Sequence, residues 1–436
     1  MGTAPTGRPF RVLQIVHDYY PVVGGSELLF RKIAEGLVAR GVEVSVFTST
    51  ARSTADFIAS NTATFPAGTE DIHGVRVRRF AFPQYPPWIR RKLSGVSHLW
   101  STRQWPGYGK LKAIWVGPYL PGLVRSAVRF APDIITATAV PFLPIYHAAE
   151  AARRAARPFA IMPCLHPGDR WLLDNPSQLR LIRSADGVMT LTPYEMRLLR
   201  ALDVRTNRLW LIGGGVEADA AKCAEPGLRT RFGIPETAPM TLFCGRKEET
   251  KGILAVLEAM VRLWQQDQPG VLVLAGASTD YSRTHLARII GRLPPEWKSR
   301  VIVRDDITEN EKWGWYTECD ALAHPSRVES FGLVYLEAWL CGKPVIGGRT
   351  GPQSSVIDHG VDGLLVKPGD VDELTASLGR LLFEPGLGAA FGRAGRAKVL
   401  QHHTWDAVID RAENMYRSLA ANYRHAHDQR GHRHPQ

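Results

Sequence analysis

The stretch RVLQIVHDYYPVVGGSELLFRKIAEGLVARGVEVSV, residues 11–46, decides the fold. Its beginning, Arg11–Val16, is mostly apolar and predicts a buried strand, and the alternating valines of residues 42–46 predict a second strand. Between them, large apolar residues recur every four positions, at Leu29, Ile33 and Leu37. This spacing predicts a helix that begins at a Ser26 cap and ends at Gly41. A strand, a helix and a strand in this order form a right-handed parallel unit, so the sequence predicts an α/β fold.

The same alternation of strands and helices continues through two halves of the chain. Further apolar runs in the first half fall at residues 133–137, 159–162 and 187–191. After residue 239, strands are predicted at 240–244, 271–275, 301–304 and 344–346, and helices at 250–265 and 333–341. Ligands of open parallel sheets bind beyond the carboxyl ends of the strands, so the loops that follow the strands are candidate binding sites.

The composition is that of a folded protein of two or three domains, with 436 residues, 44% hydrophobic and 22% charged. The apolar runs stay below the roughly 18 residues that a membrane-spanning helix needs. Five cysteines, an odd number without a Cys-x-x-Cys pair, argue against a disulfide framework or a zinc site. We therefore expect a cytoplasmic protein.

The net charge of +12 is concentrated in one segment, residues 72–132, which has eleven Lys and Arg and no Asp or Glu. Four of the twelve tryptophans lie there too. Three interpretations remain open: a peripheral contact with the inner face of the membrane, the binding of an anionic or lipid-linked acceptor, and a solvated basic face. Nucleic-acid binding is disfavoured because no recognition fold or basic helix accompanies the charge.

Two cations, Arg246 and Lys251, flank the start of a predicted helix in the second half. The segment 243–252 is a strand that runs into a loop and then, after a Thr250 cap, into that helix. A cation in the first helical turn opposes the helix dipole unless a ligand anion lies there, and the two side chains could bracket a diphosphate. The alternative is that Lys251 is a solvated surface residue.

Two carboxylates, Glu329 and Glu337, lie eight residues apart, the first in a loop and the second inside the following helix. At about 100° per residue, Glu337 lies beside the buried stripe of that helix and needs a partner. The vicinal hydroxyls of a ribose suit such an acceptor-only group, while the backbone N–H groups of residues 331–334 could face phosphate oxygens. The alternative is an ordinary surface helix.

Three further features carry weaker signals. The pair Gly24 and Gly25 permits close approach of a ligand to the backbone, but many tight turns contain such pairs. His166, which follows a predicted strand, is either catalytic or structural. The Asp-Val-Asp triplet at 370–372 fits a helix cap, with Glu373 three residues after the first Asp, better than a metal site.

Together these residues resemble glycosyltransferase family 4, a large group of retaining, nucleotide-sugar-dependent enzymes with the GT-B fold. The resemblance covers most of the chain. It is carried by the glycine loop 24–27, the segment 185–192, Gly245-Arg246 with Lys251-Gly252, the EX7E pair Glu329 and Glu337, and residues 341–345. It implies two Rossmann-like domains whose parallel sheets face each other across a cleft.

The composition of the chain and the resemblance together give domain boundaries. We expect an acceptor-binding domain at 1–217, a polar linker with Pro and Gly at 218–239, and a nucleotide-sugar-binding domain at 240–403. A final helix, 404–423, is expected to cross back onto the first domain, and a disordered tail, 424–436, is expected to follow it.

Roles for individual residues follow from the same resemblance. Arg246 and Lys251 would neutralise the leaving nucleoside diphosphate. Glu337 would hold the ribose diol, Glu329 would bind hydroxyls of the transferred sugar, and His166 would approach the sugar near its 6-position and the anomeric centre. The remaining donor-binding residues are Gly24, Gly25, Ser330, Phe331, Gly332 and Leu333. No metal and no cofactor is expected, because two cations and a helix end stabilise the charge on the leaving phosphate.

We therefore expect a retaining glycosyltransferase that moves a hexosyl group from a UDP- or GDP-sugar to a hydroxyl acceptor. Two alternatives remain: a nucleotide-sugar epimerase of the same fold, and a non-catalytic subunit that binds sugar nucleotides or docks on a membrane. A dinucleotide-dependent dehydrogenase is disfavoured because no G-x-G-x-x-G opens the first helix of either half.

Overall fold

The computed structural model describes residues 8–22, 24–57, 62–84, 113–165 and 176–431, and the single residues 88, 92, 95, 96 and 99. His166 lies outside these residues, and the basic segment 72–132 is described only in part. The chain divides into two compact units, of which the first is Met1–Ile212 with Val408–Gln436 and the second is Gly213–Ala407.

The first unit is built on a mostly parallel sheet. Its described strands are β1 (Arg11–Val16), β2 (Glu43–Ser49), β3 (Gly68–Ile72), β4 (Val75–Phe80), β5 (Ile134–Thr138), β6 (Phe159–Met162), β7 (Gly187–Thr190) and β8 (Leu209–Leu211). Their order is β3-β4-β2-β1-β5-β6-β7-β8, and among these described strands only the β3–β4 pair is antiparallel. Within the sheet, Ile15 of β1 pairs with Phe47 on one side and Ala137 on the other. A strand enclosed in this way is nearly continuously apolar, which explains the run that predicted β1.

The helices described in the first unit before residue 212 are α1 (Gly25–Ala39), α2 (Leu123–Phe130), α3 (Pro144–Ala155), α4 (Pro176–Ser184) and α5 (Pro193–Ala201). They enclose with the sheet a core that includes the fully buried Leu13 and Ile161. The predicted unit β1–α1–β2 is confirmed, but its predicted cap is wrong. Gly24 is the N-cap, and the Ser26 hydroxyl donates to Glu27 Oε1 at 2.8 Å instead of capping the helix.

The second unit has a parallel sheet of similar design. Its described strands are β9 (Met240–Cys244), β10 (Val271–Gly276), β11 (Val301–Asp305), β12 (Ala321–His324), β13 (Val345–Gly348) and β14 (Gly363–Val366), in the order β11-β10-β9-β12-β13-β14. Its helices are α6 (Leu228–Arg231), α7 (Ile253–Gln265), α8 (Ala287–Gly291), α9 (Pro295–Lys298), α10 (Glu309–Glu318), α11 (Leu333–Leu340), α12 (Val371–Phe383) and α13 (Leu387–His402). A core around Leu257, Leu274 and Ile346 lies between helices and sheet.

The residues predicted to form a linker, 218–239, belong to the second unit. Leu228 is fully buried there, and the backbone N–H groups of Leu228 and Arg229 donate to the Glu318 carboxylate at 2.9 and 2.7 Å. The Arg229 guanidinium also donates to Asp320 at 2.9 Å. These bonds attach the polar stretch, for which the sequence analysis expects a linker, to the end of α10.

The start of α7 differs from the prediction as well. Thr250 lies in a short 3-10 turn, Glu249–Lys251, and the helix begins at Ile253 after Gly252. Gly252 has a φ of +80°, in the left-handed region that glycine adopts without strain. Lys251 therefore lies just before the helix and not in its first turn.

The chain ends in a long helix, α14 (Trp405–Gly431), which belongs to the first unit from Val408 onward. Ile409 and Leu419 pack so closely over Gly36 and Gly187 that an added Cβ would come within 2.2 and 2.5 Å of them. Of the residues expected to form a disordered tail, 424–431 continue this helix, and residues 432–436 lie outside the described part. A formed helix extends at little cost through residues other than Pro and Gly.

Candidate functional site

A cation and a carboxylate meet at one edge of the second sheet. β9 and β12 are neighbours and parallel, so the loops that follow them leave the sheet at the same edge. Lys251 follows β9, Glu329 follows β12, and Lys251 Nζ lies 2.9 Å from Glu329 Oε2. The ammonium also donates to the carbonyl of Val328 at 3.0 Å. The two side chains are 16% and 19% exposed, so the pair lies at the surface of the unit while largely shielded from water.

Glu329 is held in its ionised form. Burial raises the pKa of its carboxyl, but the nearby His324 side chain and the charge of Lys251 outweigh burial and lower the pKa to about 2. His324 Nε2 lies 3.8 Å from Glu329 Oε2, and the His324 ring stacks on Phe243 with the ring centres 5.0 Å apart. The site therefore offers a fixed negative charge beside a positive one.

The β9–α7 loop holds two further cations in very different surroundings. The side chain of Arg246 is 66% exposed, and its Nη1 lies 3.2 Å from Glu248. Lys247 is fully buried and donates to the carbonyl of Gly276 at 2.6 Å, to the carbonyl of Arg304 at 2.7 Å and to Asp305 Oδ1 at 2.6 Å. Lys247 thus fixes the loop to the ends of β10 and β11. Sequence reasoning missed it, because nothing in three nearby cations indicates which one is buried.

Glu337 has partners that the sequence did not predict. Lys312 Nζ donates to its Oε1 at 2.9 Å, and the Tyr316 hydroxyl donates to its Oε2 at 2.7 Å. Both donors lie on α10, four residues apart, a spacing that places them on one face of the helix. That spacing is the signal in the sequence that could have revealed them. The carboxylate itself is 17% exposed.

The predicted donor loop, residues 330–333, packs largely against its own unit. Phe331 is buried, its ring centre lies 5.6 Å from that of His403, and an added Cβ on Gly214 would come within 2.9 Å of Phe331 and Leu333. Gly332 is the N-cap of α11, with a φ of +95°. The side chain of Phe331 therefore packs inside the unit, and Leu333 is half-buried beside it.

The glycine loop of the first unit presents an acidic group. His17 Nε2 lies 3.2 Å from Glu27 Oε1, and the His17 ring stacks on Phe142 with ring centres 3.9 Å apart. Burial lowers the pKa of His17, although the charge of Glu27 opposes this shift. Gly24 and Gly25 thus open a helix whose first turn is already occupied by a carboxylate.

Neither a metal cluster nor a membrane span is found within the described residues. None of their His, Cys, Asp and Glu side chains form a group of three that could hold a metal ion. Asp370 caps α12 as predicted, accepting from the backbone N–H of Glu373 at 3.0 Å. In the same part of the chain, no helix has the length and apolar character needed to cross a membrane.

Comparison with known proteins covers most of the chain. A family model described as Glycosyl transferase 4-like domain matches residues 24–215, and one described as Glycosyl transferases group 1 matches residues 226–398. The D-inositol 3-phosphate glycosyltransferase of Saccharomonospora viridis is 26% identical over 424 residues, which cover 92% of this chain and 90% of that protein. A protein of the same name from Streptomyces bingchenggensis is 26% identical over 421 residues, covering 92% and 86%.

Solved structures share the fold. Sucrose-phosphate synthase from Thermosynechococcus elongatus is similar with a TM-score of 0.69 at 21% identity, covering 95% of this chain and 100% of that one. HepE from Anabaena, solved in complex with UDP, has a TM-score of 0.69 at 19% identity, covering 94% and 100%. The two mostly parallel sheets are therefore those of a GT-B fold, and the protein is a glycosyltransferase. More particularly, the chain belongs to glycosyltransferase family 4.

Proposed function

We propose that this protein transfers a hexosyl group from a UDP- or GDP-sugar to a hydroxyl acceptor, with retention at the anomeric carbon and without a metal ion. The observation that carries the proposal is the pair Lys251 and Glu329, an ammonium and an ionised carboxylate 2.9 Å apart in the loops after two neighbouring strands. Such loops are where open parallel sheets bind their ligands. A neighbour of the same fold, HepE, was solved with UDP, which supports a sugar-nucleotide donor.

Lys251 is the proposed contact for the leaving diphosphate. An ammonium has three N–H donors, and within the described residues Lys251 uses two of them, on Glu329 and on the carbonyl of Val328. The third is available for a phosphate oxygen. The exposed Arg246 would bind the second phosphate, and the two cations would stabilise the charge that grows on the leaving group.

The two glutamates have separate proposed roles. Glu329, ionised and fixed by Lys251, would accept hydrogen bonds from hydroxyls of the transferred sugar. Glu337, fixed by α10, would accept from the ribose diol. His166, outside the described residues, is proposed to lie near the anomeric centre.

The proposed acceptor is a phosphorylated polyol bound by the first unit. The relatives reported above are named for an inositol phosphate, and the basic segment 72–132 supplies positive charge for such an anion. We propose a cytoplasmic location for the reaction. Sedimentation with vesicles of phosphatidylcholine and phosphatidylserine, at low and high salt, tests whether the same charge also binds a membrane. An absence of pelleting at low salt would exclude that contact.

The test of the proposed function is a donor and acceptor assay on the full chain. UDP-glucose and GDP-glucose are each incubated with an inositol phosphate in the presence of EDTA. We expect nucleoside diphosphate release that depends on the acceptor, and an α-linked product by NMR. An inverted product or loss of activity in EDTA contradicts the proposed mechanism. Epimerised sugar released without acceptor would indicate an epimerase, and donor binding without turnover a non-catalytic subunit.

A further inference from the structure

One helix of the second unit, α10, presents two hydrogen-bond donors to one carboxylate. Lys312 donates to Glu337 Oε1 at 2.9 Å, and Tyr316 donates to Glu337 Oε2 at 2.7 Å. Each oxygen of Glu337 is therefore held by a different side chain. Two bonds to two oxygens fix the carboxylate plane as well as its position.

The two donors are themselves held firmly. Tyr316 is fully buried, and Lys312 Nζ lies 5.2 Å above the Trp313 ring and 2.8 Å from Glu309. Burial lowers the pKa of Lys312, but the charge of Glu337 and the bond to Glu309 outweigh burial and raise the pKa above its ordinary value. Lys312 therefore stays charged, and its side chain bridges a solvent-facing carboxylate and a shielded one.

The carboxylate keeps capacity for a ligand. An ionised carboxylate has about four lone-pair positions, and α10 uses one on each oxygen of Glu337. One position on each oxygen remains, and a vicinal diol has two O–H donors side by side. The side chain of Glu337 is 17% exposed, so a ligand can reach it.

We propose that Lys312 and Tyr316 are positioning residues that orient Glu337 toward both ribose hydroxyls and thereby set the preference of the enzyme for ribonucleotides over 2′-deoxyribonucleotides. The inference rests on the proposed function, since it takes Glu337 as the ribose contact. The two residues do not touch the nucleotide. They act by fixing the orientation of the Glu337 carboxylate. A carboxylate that rotates freely would gain little binding free energy from the second ribose hydroxyl.

The experiment measures dissociation constants of UDP and 2′-deoxy-UDP, and of GDP and 2′-deoxy-GDP, by calorimetry on the full chain. For the base that binds, we expect the ribonucleotide to bind about three- to tenfold more tightly than its 2′-deoxy analogue. This ratio corresponds to the free energy of one hydrogen bond. Glu337→Gln sets the lower limit of this ratio. Lys312→Met and Tyr316→Phe should each move the ratio toward that limit, and Lys312→Arg should restore it in part.

Matched variants separate positioning from a structural role. Glu309→Gln removes the solvent-facing partner of Lys312 and should leave the ratio unchanged. Lys312→Met added to Glu337→Gln should change the ratio no further, because the effect passes through Glu337. Tyr316→Phe answers the question if Lys312→Met fails to fold.

Two outcomes overturn the inference in distinguishable ways. The first outcome is that a nucleotide binds, but the variants at 312 and 316 weaken the binding of the ribonucleotide and of the 2′-deoxyribonucleotide equally. Lys312 and Tyr316 are then structural, and the proposed function stands. If neither UDP nor GDP binds the wild-type chain, the proposed donor site fails, and the inference fails with it.

Discussion

The glycine loops of the two units have the same plan and opposite charge. In each unit a central strand, β1 or β9, ends in a loop, and a helix starts directly after a glycine, Gly24 or Gly252. In the first unit the nearest charged group on that helix is Glu27, paired with His17. In the second unit the charged group nearest to the helix start is Lys251, which precedes the helix and is paired with Glu329.

This difference bears on where the proposed diphosphate would bind. Glu27 lies in the first turn of α1, where a carboxylate stabilises the positive end of the helix dipole by itself. The first turn of α7 has no acidic residue, and a cation precedes it. In the proposed function the start of α7 takes the ligand anion, whereas the start of α1 already carries a carboxylate of the protein. The following predictions test this contrast.

The largest expected effect is the loss of stability on substitution of Gly252. An added Cβ would lie 2.7 Å from the backbone carbonyl oxygen of Pro325, and the φ of +80° strains any other residue. Gly252→Ala should lower the free energy of unfolding by about 2–4 kcal/mol, measured by urea denaturation. Gly227→Ala is the matched control, with a φ of +75° and no described atom within 4 Å, and should cost about 1–2 kcal/mol. Equal losses would mean that the contact with Pro325 is not a rigid one.

Glu329 should make the stability of the second unit depend on acid. Its pKa of about 2 lies below the ordinary 4.5, so the unfolded chain binds more protons between these values. The stabilisation is present above pH 4.5 and is lost as the pH falls toward 2. Glu329→Gln should lower the free energy of unfolding by on the order of 2 kcal/mol at pH 7, and this difference should shrink by pH 3. A constant difference across this range would contradict the assigned charge.

Sequence periodicity was sufficient for the fold because it reports burial. Arg11–Val16 is recovered as β1 without a change of boundary, and the predicted run 240–244 is β9. Helix starts were less predictable. Ser26 and Thr250 are good cap residues, yet Gly24 and Gly252 are the N-caps, because Ser26 bonds to Glu27 and a 3-10 turn precedes α7.

The partners within the site could not be predicted in the same way. The pairing of Lys251 with Glu329 requires β9 and β12 to be neighbours, although 78 positions separate the two residues. Lys312 and Tyr316 meet Glu337 from another helix, and Lys247 is buried by the ends of two strands. Such contacts depend on the order of strands in the sheet, which a local pattern of residues does not contain.

Turnover should respond to the cations of the second loop. Lys251→Ala and Arg246→Ala should each lower turnover at least tenfold, which corresponds to about 1.4 kcal/mol or more in activation free energy. Each substitution removes a positive charge that would stabilise the negative charge of the leaving diphosphate. Lys222→Ala, at a lysine of the same unit that is 80% exposed, is the control and should leave turnover unchanged. Unchanged kinetics in both loop variants would remove the diphosphate assignment and with it the contrast between the two loops.

The smallest effect is expected in the first loop, where the crowded atoms belong to a side chain. An added Cβ on Gly24 would lie 2.0 Å from Glu27 Oε2, the mobile end of a flexible group, and Gly24 has an extended backbone that any residue adopts. Gly24→Ala should therefore displace Glu27 from His17 and cost about 1 kcal/mol, the worth of one hydrogen bond. Gly25→Ala, with no described atom within 4 Å, should change stability by less than about 0.5 kcal/mol. Urea denaturation of both variants and of Gly252→Ala compares the losses in free energy of unfolding between the two loops directly. A Gly24→Ala loss as large as that of Gly252→Ala would show that the carboxylate at the start of α1 is held as rigidly as backbone, and that the two loops differ in charge alone.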